Sequence, residues 1–253
     1  MSTHFLADTV VLQGRSLRHI TRSPDTIITT TIMPIAFLLL FVYVFGGVIQ
    51  TGAESYVNYL LPGILLITIA SGVSYTAFRL FNDTQSGIFE RFQSMPIARS
   101  SVVWAHVGTS LVANLVSVAL VVLVAMIMGF RSSAGLLAWL GVSGILVLFT
   151  VALTWLAVIP GLSARSADGA VASSYPLIFL PFISSAFVPT ATMPTAVRVF
   201  AEYQPVTAIV DAIRDLFAGR PVGPDLWIAL GWCLGILVVA YVLAMITYRR
   251  RFS

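Results

Sequence analysis

Residues 102–129 read VVWAHVGTSLVANLVSVALVVLVAMIMG, without one aspartate, glutamate, lysine or arginine. This run is longer than the ~18 apolar residues that a helix needs to cross a membrane. Similar stretches fall at 26–48, 57–78, 135–160, 171–188 and 226–248. Of the 253 residues, 58% are hydrophobic and 9% are charged, whereas about a quarter of a soluble domain is charged. The sequence therefore predicts an all-α membrane protein with six transmembrane helices, and it excludes a soluble fold and nucleic-acid binding.

The arginines predict how the spans are oriented. All 14 basic residues are arginines, and most of them fall on the cytoplasmic side if both termini are cytoplasmic. The outer arginines would then be Arg131, Arg198, Arg214 and Arg220. We therefore expect a multi-pass protein of the cell membrane with both termini inside.

We expect the chain to form one transmembrane domain over residues 1–253. An amphipathic helix at the inner membrane surface is predicted over 1–25, because apolar side chains and arginines occupy opposite helix faces. A solvated basic leader is the alternative. Spans one to five occupy 26–188, an extracytoplasmic segment occupies 189–224, and the sixth span with a basic tail occupies 225–253.

Several kinds of chemistry are excluded by what the sequence lacks. Without a lysine, the chain cannot form the phosphate-binding loop of an ATPase. The predicted spans contain no aspartate, glutamate, lysine or arginine of the kind that ion-coupled carriers keep at membrane depth, and His106 lies close to the cytoplasmic end of the third span. The single cysteine, Cys233, lies in an apolar run and cannot form a thiol-rich metal site. We therefore predict no catalytic residue, metal site or cofactor in this chain.

The loop between the second and third predicted spans carries an apolar patch. Residues 82–99 read NDTQSGIFERFQSMPIAR. A short cytoplasmic helix after Gly87, ended by Pro96, would place three apolar side chains on one face, namely Ile88, Phe89 and Phe92. Such a face favours a protein partner. A loop that rests on lipid headgroups is the alternative.

This stretch resembles the permease subunits of type-2 ABC exporters, which carry Gly-x-x-Glu-Arg-(apolar)-x-x-x-Pro-x-x-Arg after the second span. The matching residues are Gly87, Glu90, Arg91, Phe92, Pro96 and Arg99. Ile88 and Phe89 lie inside the motif. The resemblance implies that the stretch is a coupling helix that contacts an ATPase.

The segment 189–224 is too interrupted by proline for a through-helix and too apolar for open water. Its interrupting prolines are Pro189, Pro194 and Pro205. We predict two short re-entrant helices that act as an outer gate. Asp211 and Arg214, three residues apart, would pair on one helix face. A structural cap without a gating role is the alternative.

The resemblance covers essentially the whole chain and is strongest to the daunorubicin-resistance type of drug-exporter permease. The family carries Val-Pro-x-x-x-Met-Pro and then Asn-Pro-x-Thr, and Gln204 replaces the asparagine here. The resemblance implies a second permease chain, identical or related, and two copies of a cytosolic ATPase that bind ATP and magnesium. Membrane lipid is the other expected partner.

Aromatic side chains recur in the first and fifth predicted spans and suggest an apolar path between two subunits. The candidate path residues are Phe37, Phe41, Asn114, Phe179 and Phe182. Packing against lipid or other helices is the alternative for the phenylalanines, and a hydrogen bond between helices is the alternative for Asn114.

The sequence thus predicts the permease subunit of an ATP-driven exporter. It would move a hydrophobic or amphipathic compound, such as a drug, antibiotic or lipid, out of the cytoplasm or inner leaflet. The alternatives are an ABC exporter of a polysaccharide or lipid-linked glycan, and a membrane assembly protein that transports nothing.

Overall fold

The computed structural model describes residues 25–46, 55–87, 101–221 and 223–252. Every regular element within these ranges is a helix. The predicted amphipathic helix over 1–25, apart from its last residue, lies outside the described residues. So do all the predicted coupling residues except Gly87.

Four helices are long and apolar enough to cross a membrane. They are α2 (Tyr56–Gln85), α3 (Ser101–Ile127), α4 (Leu136–Ser163) and α9 (Pro224–Phe252). At 1.5 Å per residue, the 30 residues of α2 extend roughly 45 Å, which exceeds the ~30 Å hydrocarbon core. Four of the six predicted spans are therefore confirmed as continuous helices of spanning length.

The first and fifth apolar stretches form shorter helices. Helix α1 (Asp25–Leu39) continues as a π-helical turn over Leu40–Phe45. The fifth stretch is divided into α5 (Ala167–Ala172), α6 (Tyr175–Phe179) and a 3₁₀ turn over Leu180–Ile183. Proline lacks the backbone N–H of a continuing helix and clashes with the preceding turn, so Pro176 and Pro181 begin new pieces here. One continuous fifth helix, as the sequence predicted, is not what the structure describes.

Helix α2 lies at the centre of the bundle and packs against α1, α3, α4, α5 and later elements. Its side chains Leu60, Leu65 and Ile67 are fully buried. Gly63 lets the turn at the end of the fifth stretch (residues 184–188) approach α2 closely, because a Cβ atom at Gly63 would lie 2.5 Å from the Cβ of Ala186. The end of the fifth stretch is thereby held against the core.

Two further helices follow that turn: α7 (Thr195–Tyr203) and α8 (Pro205–Phe217). They are preceded by a 3₁₀ turn over Thr190–Thr192. Helix α8 packs against α2, α4 and α9 and fully buries Ile209 and Ile213. The segment predicted to be re-entrant thus contains two helices, and the second of them belongs to the core of the bundle.

Candidate functional site

The phenylalanines of the first and fifth apolar stretches form one cluster. Phe37 contacts Phe182 with ring centroids 5.6 Å apart, and Phe41 lies 4.7 Å from Phe187. Phe182 and Phe187 stack in nearly parallel planes, also 4.7 Å apart. The complete cluster contains Phe37, Phe41, Phe45, Phe179, Phe182 and Phe187. The structure therefore brings together four of the five candidate path residues, namely Phe37 and Phe41 with Phe179 and Phe182, two pairs that lie more than 130 positions apart in the chain.

This phenylalanine cluster runs from the protein interior to its surface. Phe187 is 4% exposed, and the Tyr56 hydroxyl donates to its backbone carbonyl. Phe179 is 61% exposed, and Phe45 is also exposed. An aromatic surface continuous with a buried aromatic layer can bind an apolar compound or another apolar protein surface.

Asn114, the fifth candidate, lies in a different environment. It is buried, and its Nδ2 donates to the backbone oxygen of Ser110 at 2.9 Å. Ser110 Oγ accepts from Thr76 Oγ1 at 2.7 Å and lies 3.3 Å from Thr154 Oγ1. These hydroxyls join α2, α3 and α4. The hydrogen bonds of Asn114 itself stay within α3, because both go to Ser110, so Asn114 does not itself bond between helices. Among the described contacts, none links Asn114 to the phenylalanine cluster.

A separate apolar cavity of about 450 Å³ lies between α4, α6, α8 and α9. Its walls include Leu153, Leu180, Val206 and Trp232. Of the candidate residues from the sequence, only Pro205 lines it. This cavity is not predictable from the sequence, because its walls come from separate helices and the 3₁₀ turn at Leu180, which hydropathy alone cannot place side by side.

The three predicted gate prolines lie at helix starts. Pro189 precedes the 3₁₀ turn over Thr190–Thr192, Pro194 precedes α7, and Pro205 is the first residue of α8. A helix start tolerates proline because the missing N–H would have no partner there in any case. Gln204, at the junction of α7 and α8, donates from Nε2 to the carbonyls of Leu180 and Ile183 at 3.3 and 2.6 Å. The junction is thereby attached to the end of the fifth stretch.

Asp211 and Arg214 form the ion pair that their spacing predicts. Arg214 Nη2 also donates to the backbone oxygens of Tyr59 and Ser185, at 3.1 and 3.0 Å. Its guanidinium carbon lies 3.8 Å from the centroid of the Tyr59 ring. Ser185 Oγ donates to Asp211 at 2.9 Å. This cluster, which we call the Arg214 network, connects α8 with the start of α2 and with the turn at the end of the fifth stretch.

The Arg214 network is largely shielded from water. The side chain of Arg214 is 15% exposed and that of Asp211 is 32% exposed. Burial raises the pKa of the Asp211 carboxyl, and the guanidinium of Arg214 and the hydroxyl of Ser185 act in the opposite direction. A mostly buried ion pair with additional hydrogen bonds favours one defined arrangement of α8 against α2.

The opposite end of α2 carries a polar contact that the sequence did not predict. His106 Nε2 lies 3.1 Å from Asp83 Oδ2. The predicted second span ended at residue 78, but α2 continues to Gln85 and includes Asp83. Gly87, the first residue of the predicted coupling motif, has a φ of +69°, which is typical of the glycine that ends a helix. The pair therefore joins α2 and α3 at the base of the loop that holds the coupling motif.

The other predicted coupling residues lie outside the described residues: Ile88, Phe89, Glu90, Arg91, Phe92, Pro96 and Arg99. Their assignment stays a prediction. Within the described part of the chain, no group of three or more histidine, cysteine, aspartate or glutamate side chains is arranged to hold a metal ion.

Comparisons with known proteins agree with the motifs. The daunorubicin resistance ABC transporter permease protein DrrB1 of Streptomyces coeruleorubidus is 28% identical over 90% of this chain and 81% of its own length. The probable doxorubicin resistance ABC transporter permease protein DrrC of Mycobacterium tuberculosis is 26% identical over 97% of this chain and 90% of its own length. The putative transport permease ycf38 of Porphyra purpurea is 24% identical over 86% of this chain and 76% of its own length.

The model of the ABC-2 type transporter family matches residues 8–218, which include the coupling motif, the phenylalanine cluster and the Arg214 network. The chain therefore belongs to the ABC-2 type transporter family and is a membrane permease of an ABC transporter.

Proposed function

We propose that this permease exports a hydrophobic or amphipathic compound, such as a drug, an antibiotic or a lipid. The observation that carries the proposal is the phenylalanine cluster, which gives an apolar surface continuous from the interior to Phe179. Two relatives named for resistance to daunorubicin and doxorubicin support it. Export of a polysaccharide or lipid-linked glycan, and an assembly role without transport, are not favoured.

The proposal includes six crossings of the cell membrane with both termini in the cytoplasm. Residues 25–45, helical throughout, extend roughly 30 Å, which is enough for one crossing. The fifth crossing would be made by the interrupted helices from α5 to Ile183. Gln204 supports this, because it supplies donors to Leu180 and Ile183 where the helix ends, and backbone at membrane depth needs such partners. Helices α7 and α8 would then form the re-entrant segment.

A second permease chain, identical or related, would cover the exposed face of α1 and the fifth stretch. Tyr43 is 72% exposed, and Tyr175 and Phe179 are 50% and 61% exposed. Aromatic residues of this kind are enriched in the centres of protein interfaces. In this arrangement the compound passes between two phenylalanine clusters, one from each chain.

The energy for transport would come from two copies of a cytosolic ATPase that bind ATP and magnesium. The coupling helix, residues 87–99, would receive the movement of the ATPase. The pair of His106 and Asp83 supports this, because it holds α2 and α3 together where the coupling loop begins and ends. Outward release would require the contacts of the Arg214 network to break, so that α8 separates from the start of α2. This separation is the proposed outer gate.

The test is substrate-stimulated ATP hydrolysis by the permease and its ATPase in proteoliposomes, with daunorubicin as the probe. Phe182→Ala removes the ring that joins α1 to Phe187, and we expect the drug concentration for half-maximal stimulation to rise about tenfold. Phe78→Ala is the matched control, because Phe78 contacts Tyr75 outside the cluster. Equal effects of the two variants, or no stimulation of the wild type by any apolar compound, would contradict the proposal.

A further inference from the structure

Of the four arginines that the sequence predicts to lie outside the cell, three line the same cavity. It has a volume of about 510 Å³ and lies where α2 begins and α3 ends, at the end of the bundle opposite to the pair of His106 and Asp83. The three arginines are Arg131, Arg214 and Arg220. Asn58, Ser132, Ser133 and the rings of Phe130 and Phe217 complete most of the wall. We call it the arginine cavity.

The walls of the arginine cavity are fixed by contacts across the chain. Asn58 Nδ2 donates to the backbone oxygen of Arg131 at 3.0 Å, and the backbone N–H of Arg131 donates to Asn58 Oδ1 at 3.2 Å. Ser132 Oγ donates to the backbone oxygen of Phe217 at 2.8 Å. Phe130 and Phe217 pack edge to face with centroids 5.1 Å apart. The loop between α3 and α4 is therefore held against the end of α8, and the cavity is formed in advance of any ligand.

Positive charge in this cavity is only partly neutralised. Asp211 pairs with the largely buried Arg214. Asp215 lies 3.3 Å from Arg220, but this pair is exposed and contributes little. Arg131 Nη1 donates to the backbone oxygens of Met126 and Phe130, at 3.1 and 2.9 Å. No acidic side chain among the described residues lies within ion-pair distance of Arg131.

The acidic groups nearby do not line the arginine cavity. Asp215 and Asp225 line a neighbouring, much smaller cavity between α8 and α9, which shares Arg220 with the arginine cavity. Asp211 faces Arg214 and Ser185. A ligand in the arginine cavity would therefore meet three guanidinium groups and no carboxylate in its wall.

We infer that the arginine cavity binds a phosphate-type oxyanion, either the headgroup of an anionic phospholipid or free phosphate. Guanidinium groups present paired N–H donors that match the oxygens of a phosphate. Arg131 supplies a charge with no acidic partner among the described residues, and Arg220 supplies a charge whose pair with Asp215 is exposed, whereas Arg214 is held within its network. The cavity volume lies in the range of about 300–1,000 Å³ that is usual for small-molecule sites. This inference does not depend on the proposed export.

The experiment uses the full-length chain in detergent and measures lipid binding by native mass spectrometry. The two lipid probes are dioleoyl-phosphatidylglycerol and dioleoyl-phosphatidylcholine, which share a phosphodiester but differ in net charge. We expect phosphatidylglycerol to bind about tenfold more tightly, because the choline cation of the other lipid would face three arginines. Arg131→Gln and Arg220→Gln should each weaken phosphatidylglycerol binding about tenfold, the effect of losing one charge-assisted hydrogen bond.

Two further variants make the result specific. Arg198→Gln is the matched control, because Arg198 is an exposed arginine on α7 outside the cavity, and binding should change less than about twofold. Ser133→Asp adds a carboxylate to the wall of the arginine cavity. The change should leave the fold intact, because the hydrogen bond described for Ser133 uses its backbone N–H and not its hydroxyl. It should abolish binding without lowering the melting temperature, which keeps the test decisive if Arg131→Gln fails to fold.

A second probe, inorganic phosphate measured by equilibrium dialysis, identifies the source of the oxyanion. Selective binding of phosphatidylglycerol that survives excess phosphate supports a lipid headgroup. Binding of phosphate that Arg131→Gln abolishes, with no preference between the lipids, supports free phosphate. The inference is overturned if neither probe binds selectively, or if Arg198→Gln lowers binding as much as Arg131→Gln does.

Discussion

Replacement of Arg214 by glutamine tests the Arg214 network most directly. The change removes the ion pair to Asp211 and the donors to the backbone oxygens of Tyr59 and Ser185. Ser185 keeps a donor, because the Tyr59 hydroxyl also bonds to its carbonyl at 2.8 Å. Asp211 keeps only the hydroxyl of Ser185. The main consequence is therefore a mostly buried carboxylate without its counter-charge.

The size of the effect follows from the burial of the pair. Removing one partner of a buried ion pair costs about 3–5 kcal/mol. Because the Asp211 side chain is 32% exposed and keeps the bond from Ser185, we expect the lower end of that range, about 3 kcal/mol. For a chain of this length, that loss corresponds to a fall of about 6 to 12 °C in melting temperature.

Replacement of the partner, Asp211, should lower the stability less than replacement of Arg214. Asp211→Asn keeps an oxygen that accepts hydrogen bonds, and Arg214 keeps its contacts with two backbone carbonyls and the Tyr59 ring. We expect a loss of about 1 kcal/mol. The double variant should be no less stable than Arg214→Gln alone, because the unpaired carboxylate is then absent.

The assay is thermal unfolding of the purified chain in detergent, followed by tryptophan fluorescence. Arg198→Gln is the control, because Arg198 and Glu202 form an exposed pair four residues apart on α7, worth about 0.3–0.5 kcal/mol. A melting temperature of Arg214→Gln within 2 °C of this control would refute the reasoning. So would a larger loss for Asp211→Asn than for Arg214→Gln.

Three further outcomes are expected. Phe89→Ala combined with Phe92→Ala should abolish co-purification of the ATPase while membrane insertion stays normal; unchanged co-purification would remove the coupling assignment. The permease purified without its partner should hydrolyse no ATP, because it has no lysine for a phosphate-binding loop, and turnover by partner-free protein would contradict this. Gly63→Ala should destabilise the chain by about 1–3 kcal/mol, because the new methyl group meets Ala186, and Ala186→Gly should restore part of the loss; thermal unfolding measures both.

The long helices could be predicted from the sequence because their signals are local. Runs such as 102–129 must be helical in a membrane, where every backbone N–H needs a partner within its own segment. The pairing of Asp211 with Arg214 is also local, since three positions separate them on one helix. Proline content predicted a break after the fifth stretch, but Pro176 and Pro181 also divide that stretch itself.

The sequence by itself determined the class of the protein, its long helices and the residue types available to each site. The tertiary structure decided which of them meet. Arg214 contacts the backbone of Tyr59, 155 positions away, and His106 contacts Asp83 from the neighbouring helix. Likewise, Arg131 joins Arg214 and Arg220 in one cavity. Hydropathy and helical periodicity record only which face of a helix is apolar, and the side-by-side packing of the helices sets the contacts between distant segments.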